Sequence, residues 1–161
     1  KFIDKDNPFN HASVLGAWFT KENLPVTAAF INDVTEDVNA VGALTKALHA
    51  RLRPSQIDPR VQPCIGVPTT ASYPSGHVTR AFAWALVLAE IFPDKRDELI
   101  ARAHRAAWGR VLAGVHFPTD TIGGQLMAEA VVTELKKSAA FRAAVEKCRA
   151  EAAPFVMKKA A

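Results

Sequence analysis

Three short clusters hold the residues of this chain best suited to chemistry. They are Lys46 with Arg53-Pro54, then Pro74-Ser75-Gly76-His77, then Arg110 with His116 and Asp120. Together they supply three cations, two histidines, one carboxylate and a Ser-Gly turn able to open a helix. That inventory suffices to hold a phosphate dianion and break one of its ester bonds without a metal. Phosphoryl transfer is mostly positioning and charge stabilisation, so a metal-free site needs several fixed donors around the equatorial oxygens. Arginine offers a planar fork for them and lysine a point charge.

Each cluster also has a plainer reading. Lys46 and Arg53 are seven residues apart, two helical turns, and project from one side of a helix; alone they read as solvated surface cations. Ser75 ahead of Gly76-His77 is an ordinary helix N-cap, or the opening of an anion site built from first-turn amides and the helix dipole. In the second case Gly76 lets a phosphate approach the backbone, Ser75 adds a hydroxyl donor and the His77 ring reaches the same anion. Asp120 follows His116 by four residues. It is either a helix cap beside an incidental loop histidine, or a carboxylate that fixes the imidazole tautomer and leaves the other nitrogen to attack. The chemical reading gains weight because all three clusters fall at helix ends or in loops able to face one cavity.

The elements that must position them read as helical throughout. Ile31, Val34, Val38, Val41, Leu44, Leu48 and Leu52 step by three or four, which predicts one amphipathic helix from about Pro25 to Leu52. Arg53 ends it, since the residue before proline disfavours helix. Residues 54–74, with five prolines, read as a long functional loop that walls the site. A second helix runs from Ser75 to Phe92, apolar on nearly all sides and so expected at the centre of a bundle. A third ends near Leu112. A fourth starts at Pro118-Thr119-Asp120, capped by Thr119 or Asp120, with Ile122, Leu126, Ala130 and Val131 facing inward. A last helix covers roughly Ala139 to Ala152, and short helices are expected in the first 23 residues. The fold class is all-α: a helical bundle, with residues 1–161 as a single domain whose motif-bearing core is about 25–136.

Composition bounds the rest. A chain of 161 residues fits one domain. Twenty basic and 16 acidic residues give a formal charge of +4 with the signs interspersed. No polybasic tract points to nucleic acid, and a mild attraction for anionic substrates is all the charge implies. The best apolar run, Ala81 to Ala89, is nine residues long, well short of the ~18 a membrane span needs, so stable membrane insertion is not expected. Cys64 and Cys148 lack metal-ligand spacing; a disulfide and a pair of buried free thiols are both open. His11, His49 and His104 have no motif partner and read as surface or packing residues. Trp18, Trp84 and Trp108 read as core.

The clusters resemble the signature of the type 2 phosphatidic acid phosphatase superfamily: Lys-x6-Arg-Pro, Pro-Ser-Gly-His and Ser-Arg-x5-His-x3-Asp. Here they read Lys46-x6-Arg53-Pro54, Pro74-Ser75-Gly76-His77 and Gly109-Arg110-x5-His116-x3-Asp120, spanning about half the chain. Gly109 replaces the usual serine, which removes a hydroxyl but no charge and no catalytic proton. The Ser-Tyr-Pro-Ser-Gly-His context and the stretch Ala81 to Pro93 are most similar to bacterial class A nonspecific acid phosphatases, which are exported, all-helical and metal-independent. The resemblance implies the acid phosphatase/vanadium haloperoxidase fold and a phosphomonoester hydrolase working through a phosphohistidine. His116 would be the nucleophile, Asp120 would orient it, and His77 would be the general acid. Lys46, Arg53, Ser75, Gly76 and Arg110 would hold the phosphoryl oxygens.

It further implies no cofactor and no metal, a small phosphomonoester as partner, and inhibition by phosphate or vanadate. A periplasmic or secreted location is expected, with a signal peptide removed before Lys1; homo-oligomerisation stays open. A neutral His116 beside a protonated His77, with reference pKa values of about 6.5, predicts a bell-shaped rate profile on the acid side. Two alternatives share the motifs. One is a vanadium-dependent haloperoxidase, against which the short chain counts. The other is a lipid phosphate phosphatase.

Overall fold

The computed structural model describes residues 7–157, and every regular element among them is helical. A short 3-10 turn (Pro8–His11) and α1 (Ala12–Leu15) precede α2 (Pro25–His49) and the single-turn α3 (Pro54–Ile57). Then come α4 (Gly76–Ile91), α5 (Arg96–Leu112), α6 (Pro118–Leu135) and α7 (Ala139–Met157), with another 3-10 turn at Pro93–Lys95. Helix α4, apolar on nearly all sides, is the central one: Val78, Phe82, Ala85, Val87 and Leu88 are buried, and α2, α5 and α6 pack around it.

Three side-chain contacts set the direction of α2 against α4. The Trp84 indole donates to Thr35 Oγ1 at 2.8 Å, and Arg80 donates to Asn39 Oδ1 at 3.1 Å. A Cβ added at Gly76 would lie 3.9 Å from Lys46 Cε. The pairing runs down one helix as it runs up the other, so the two are antiparallel. Helix α5 is also antiparallel to α4, with Phe82 meeting the His104 ring at 4.9 Å. Helix α6 runs parallel to α4: Gly124 abuts Ser75 and Thr79 at one end, and Lys136 pairs with Glu90 at the other at 2.6 Å. One end of the bundle therefore gathers the starts of α4 and α6 with the finishes of α2 and α5. All three motif clusters lie there.

Several details differ from the sequence reading. Helix α2 stops at His49, where Ala50 turns left-handed at φ 42° and returns its N–H to Lys46 O. Arg53 is thus not two turns beyond Lys46 on one helix; it stands extended before Pro54, at the start of α3. That turn of helix interrupts the segment expected to be loop from 54 to 74. Ile31, Val34 and Val38 are buried as the stripe requires, whereas Leu44 and Leu48 are 70% and 83% exposed, and Val41 and Leu52 are exposed too. The reason is phase: at this end the inward face of α2 runs through Gly42, Thr45 and Lys46, with Gly42 and Thr45 against Met127 of α6, and leaves Val41, Leu44 and Leu48 outside.

Helix α6 turns a different face inward from the one expected. Gly123, Gly124, Ala128 and Val132 are buried, while Ile122, Leu126 and Ala130 are exposed. Contact here is backbone-close, because a Cβ at Gly123 would overlap the Tyr73 ring and one at Gly124 would come within 2.7 Å of Ser75 O. The N-cap of α6 is Phe117, not Thr119 or Asp120, and α7 continues past Ala152 to Met157. Trp84 is buried and Trp18 stacks on Phe155, but Trp108 is 62% exposed. Both cysteines are free thiols, Cys148 buried and Cys64 exposed, which removes the disulfide and half of the buried-thiol alternative.

Helix α2 has no side-chain cap of its own. Glu151 of α7 supplies one: its carboxylate accepts from Val26 N at 2.8 Å, from Thr27 N at 2.9 Å and from Thr27 Oγ1 at 2.7 Å. Loss of such a cap typically costs about 1–2 kcal/mol. Glu151→Ala is expected to lower the free energy of unfolding in urea by that amount; an unchanged midpoint and slope would show that the cap contributes nothing.

Candidate active site

His116 lies in the connection between α5 and α6 and is buried. Its Nδ1 faces Asp120 Oδ2 at 3.3 Å, and its Nε2 is 3.1 Å from Arg53 Nη1. A guanidinium only donates, so Nε2 must carry a lone pair and the ring proton must sit on Nδ1, pointing at the carboxylate. Burial first, then the charge of Arg53, pulls the His116 pKa down against the opposing pull of Asp120, which favours the neutral ring that the Arg53 contact requires. The geometry presents a nucleophilic nitrogen beside a cation that can hold the group under attack.

Asp120 occupies the third position of α6, where its carboxylate caps the helix by accepting from Phe117 N at 2.9 Å. The same carboxylate accepts from Ser72 Oγ at 2.6 Å and from Arg51 Nη1 at 2.8 Å. Burial pushes its pKa up, but the hydrogen bonds from His116, Ser72 and Phe117 and the Arg51 charge outweigh that and bring it to about 2. It stays ionised through any mildly acidic working range.

The segment 70–75 is pinned by the cations around it. Lys46 Nζ donates to Ala71 O at 2.5 Å and Pro74 O at 2.7 Å. Arg53 donates to Thr70 O through Nε (3.1 Å) and Nη2 (2.9 Å), and to Val115 O through Nη1 at 2.9 Å. Ser72 N bonds Arg51 O and Ser75 N bonds Asp120 O. The Ser75 hydroxyl at the start of α4 is fully buried with no hydrogen-bond partner among the described residues, a donor suited to a bound oxyanion. Next to it the first-turn amides of α4 carry the positive end of the helix dipole.

Of the eight residues singled out from sequence, Lys46, Arg53, Gly76, His77 and His116 line one cavity of about 510 Å³. Ser75 and Asp120 are buried in its wall beside Gly76 and His116, and Arg110 is buried close enough for its charge to act on His77 and Arg53. The 54–74 segment does form part of the wall, through Pro68, Thr70 and Ala71. Sequence reasoning missed Arg51, Ser72 and Arg80. Arg51 bonds Thr119 Oγ1 at 2.7 Å as well as Asp120, and lies 4.2 Å over the Phe117 ring. Ser72 had one available signal, its place two residues ahead of the Pro-Ser-Gly-His cluster. Arg51 had none, because its contacts cross 68 and 69 residues of chain.

The cations crowd one another. Burial, Arg53 and Arg80 bring Lys46 down to about 8, partly opposed by Asp120. His77 falls to about 3, through burial and then the charges of Arg110, Arg80, His116 and Arg53. Among the described residues no group of three or more His, Cys, Asp or Glu is placed to hold a metal ion. None of the described helices is long and apolar enough to cross a membrane.

Comparison with known proteins bears on this arrangement. A family model described as the PAP2 superfamily matches residues 26–143. The chain is 27% identical over 157 residues to the non-specific acid phosphatase of Providencia stuartii, a stretch that is 90% of this chain and 60% of that protein. It is 35% identical over 86 residues to an acid phosphatase of Zymomonas mobilis subsp. mobilis, covering 53% of this chain and 33% of that one. The chain therefore spans between about a third and three fifths of these relatives. The solved structure of the first transmembrane PAP2 type phosphatidylglycerolphosphate phosphatase from Bacillus subtilis shares the fold, with a TM-score of 0.51 at 20% identity over 82% of this chain and 77% of that one.

With Lys46 titrating at about 8 in the free protein, its charge is present below that pH and lost above it. Calorimetric affinity for inorganic phosphate should fall steadily as pH rises beyond 8. An affinity that is flat from pH 7 to 9.5 would mean that Lys46 does not hold the anion.

Proposed function

The chain belongs to the PAP2 superfamily, and on that premise we propose that it is a metal-independent phosphomonoester hydrolase, an acid phosphatase acting through a phosphohistidine. The observation that carries this reading is the pair of contacts on His116, Nδ1 facing an orienting carboxylate and Nε2 a donor-only guanidinium, which leaves the lone pair on Nε2. In the proposed reaction Nε2 attacks phosphorus as the ester P–O bond breaks. Lys46, Arg53, Arg110, the Ser75 hydroxyl and the amides beginning at Gly76 take the charge on the phosphoryl oxygens. His77 protonates the departing alkoxide, then removes a proton from the water that cleaves the P–N bond and releases phosphate. A periplasmic or secreted location belongs to the same proposal, to be checked by cell fractionation.

The crowding of cations sharpens the proton inventory. A His77 titrating near 3 is neutral in the free protein at every working pH. The leaving-group proton then arrives with the substrate: a phosphomonoester monoanion, whose last proton leaves near pH ~6, enters the site and passes that proton to His77. Neutral His77 with a monoanion is the same species as protonated His77 with a dianion, and the dianion offsets the surrounding positive charge. This stands as an alternative to two histidines titrating near 6.5, and it predicts an acid optimum set from the substrate side.

The test is hydrolysis of aryl and alkyl phosphates across pH, with and without EDTA. Turnover should resist EDTA, be inhibited by vanadate, vanish in His116→Ala and leave an acid-labile, alkali-stable phosphoryl label on wild-type protein. The alkaline limb of kcat/KM should move with the second pKa of the ester used. A limb fixed at one pH for all esters would overturn the substrate-borne proton. Absence of turnover, with halide oxidation on adding vanadate and peroxide, would overturn the phosphatase reading.

A further inference from the structure

The catalytic cavity does not end at the phosphoryl site. It meets a second, open groove of about 1070 Å³ between α2, α4 and the N-terminal turn, and two residues, Asn39 and Arg80, border both. Arg80 is a cation that none of the three motif clusters contains. It sits one turn beyond Gly76 on α4, and a Cβ at Gly76 would lie 3.6 Å from its Nη1. Its half-buried side chain donates to Asn39 Oδ1 at 3.1 Å, which directs the guanidinium along the seam between α2 and α4.

Direction along α4 decides what Arg80 meets. His77, Arg80 and Trp84 are three and four residues apart and share one face of the helix. Arg80 acts on His77 through its charge, so the two are close. The atom His77 protonates is the ester oxygen, so the leaving group starts at His77 and extends along this face. The Arg80 Cα comes next along the helix, and its side chain reaches back toward Gly76 and across to Asn39, so the guanidinium stands beside the phosphoryl site where the two cavities meet. Beyond it Thr35 and Asn32 from α2 offer polar groups, with Trp84 Nε1 bonded to Thr35 Oγ1 as the floor. Lys21 and Glu22 also border the groove, with cancelling charge.

We propose that Arg80 and Asn39 form a second anion subsite, which selects phosphomonoesters whose leaving group carries a carboxylate or second phosphate about two to four bonds from the ester oxygen. Here the phosphoryl site supplies the chemistry and the Arg80 subsite the choice of ester. The inference rests on the phosphatase reading for the word substrate, but not for the binding it predicts.

Binding of two hydrolysis-proof probes by calorimetry separates the two. 3-Phosphonopropanoate and propylphosphonate differ only in carrying or lacking the second charge. The folded wild-type protein should bind the first about tenfold or more tightly than the second, the scale of one charge-assisted hydrogen bond. Arg80→Gln, shown to be folded by its melting curve, should abolish the preference, and Arg80→Lys should restore part of it. Propane-1,3-diphosphonate against propylphosphonate repeats the comparison with a second phosphonate as the anion. Equal affinities in wild type would overturn the subsite, as would a preference that survives Arg80→Gln. An Arg80→Gln variant that loses both probes alike would place Arg80 on the transferred phosphoryl group instead. The preference without any turnover of phosphoglycolate or ethyl phosphate would keep the subsite and sink the phosphatase reading.

Discussion

Four donors converge on the Asp120 carboxylate, a group with no solvent-exposed surface: His116, Ser72, the Phe117 amide and Arg51. Removing a carboxylate from water costs several kcal/mol unless it is fully hydrogen-bonded, so this convergence is what makes the interior position tenable. It also fixes the rest. The bond from Ser75 N to Asp120 O sets the start of α4 against the start of α6. Ser72 anchors the segment whose carbonyls receive Lys46 and Arg53. Arg51 brings in the chain leaving α2, stacked on Phe117. A single buried anion thus orders three stretches of chain that are distant in sequence, and His116 takes its tautomer from the same contact.

Opposite that anion stands an excess of positive charge. Arg53, Arg80 and Arg110 stand close enough to disfavour the charged forms of Lys46, Arg53 and His77. A folded protein accepts such repulsion only where the surrounding structure enforces it, and here the enforcement comes from helix ends. Two helix N-termini, α4 and α6, point into the same region and add their dipoles to the side-chain charge. For the reaction proposed above, such a field would stabilise the charge spread over the phosphoryl oxygens in the transition state.

The sequence disclosed the charged groups more fully than the packing. Lys46, Arg53, His77, His116 and Asp120 are legible because their chemistry depends on residue type and short spacing, both written along the chain. The exposure of Leu44 and Leu48 is not, because the inward face of α2 passes there to Gly42, Thr45 and Lys46, small or polar residues that an apolar period does not register. Ile122 and Leu126 mislead for a related reason. Helix α6 approaches α4 through Gly123, Gly124 and Ala128, so the close face is made of small residues that a search for large apolar ones passes over. Trp108 is the inverse case, a large aromatic whose helical phase faces solvent. Arg51 and Glu151 act across more than sixty and more than a hundred residues, and no local pattern marks such pairs.

The placement of the functional groups separates two tasks. Those expected to touch the phosphoryl group sit at helix ends and in the 70–75 segment, where backbone amides and carbonyls hold them in place. Any change there disturbs the Asp120 network. Residues beyond His77 along the α2–α4 seam lie within helices already secured by Trp84, Val38 and Val78. Their outward side chains can vary without moving the backbone that fixes His116. A fold built this way can keep one reaction at its end while the seam above determines which esters reach it, and Arg80 stands at the boundary between the two.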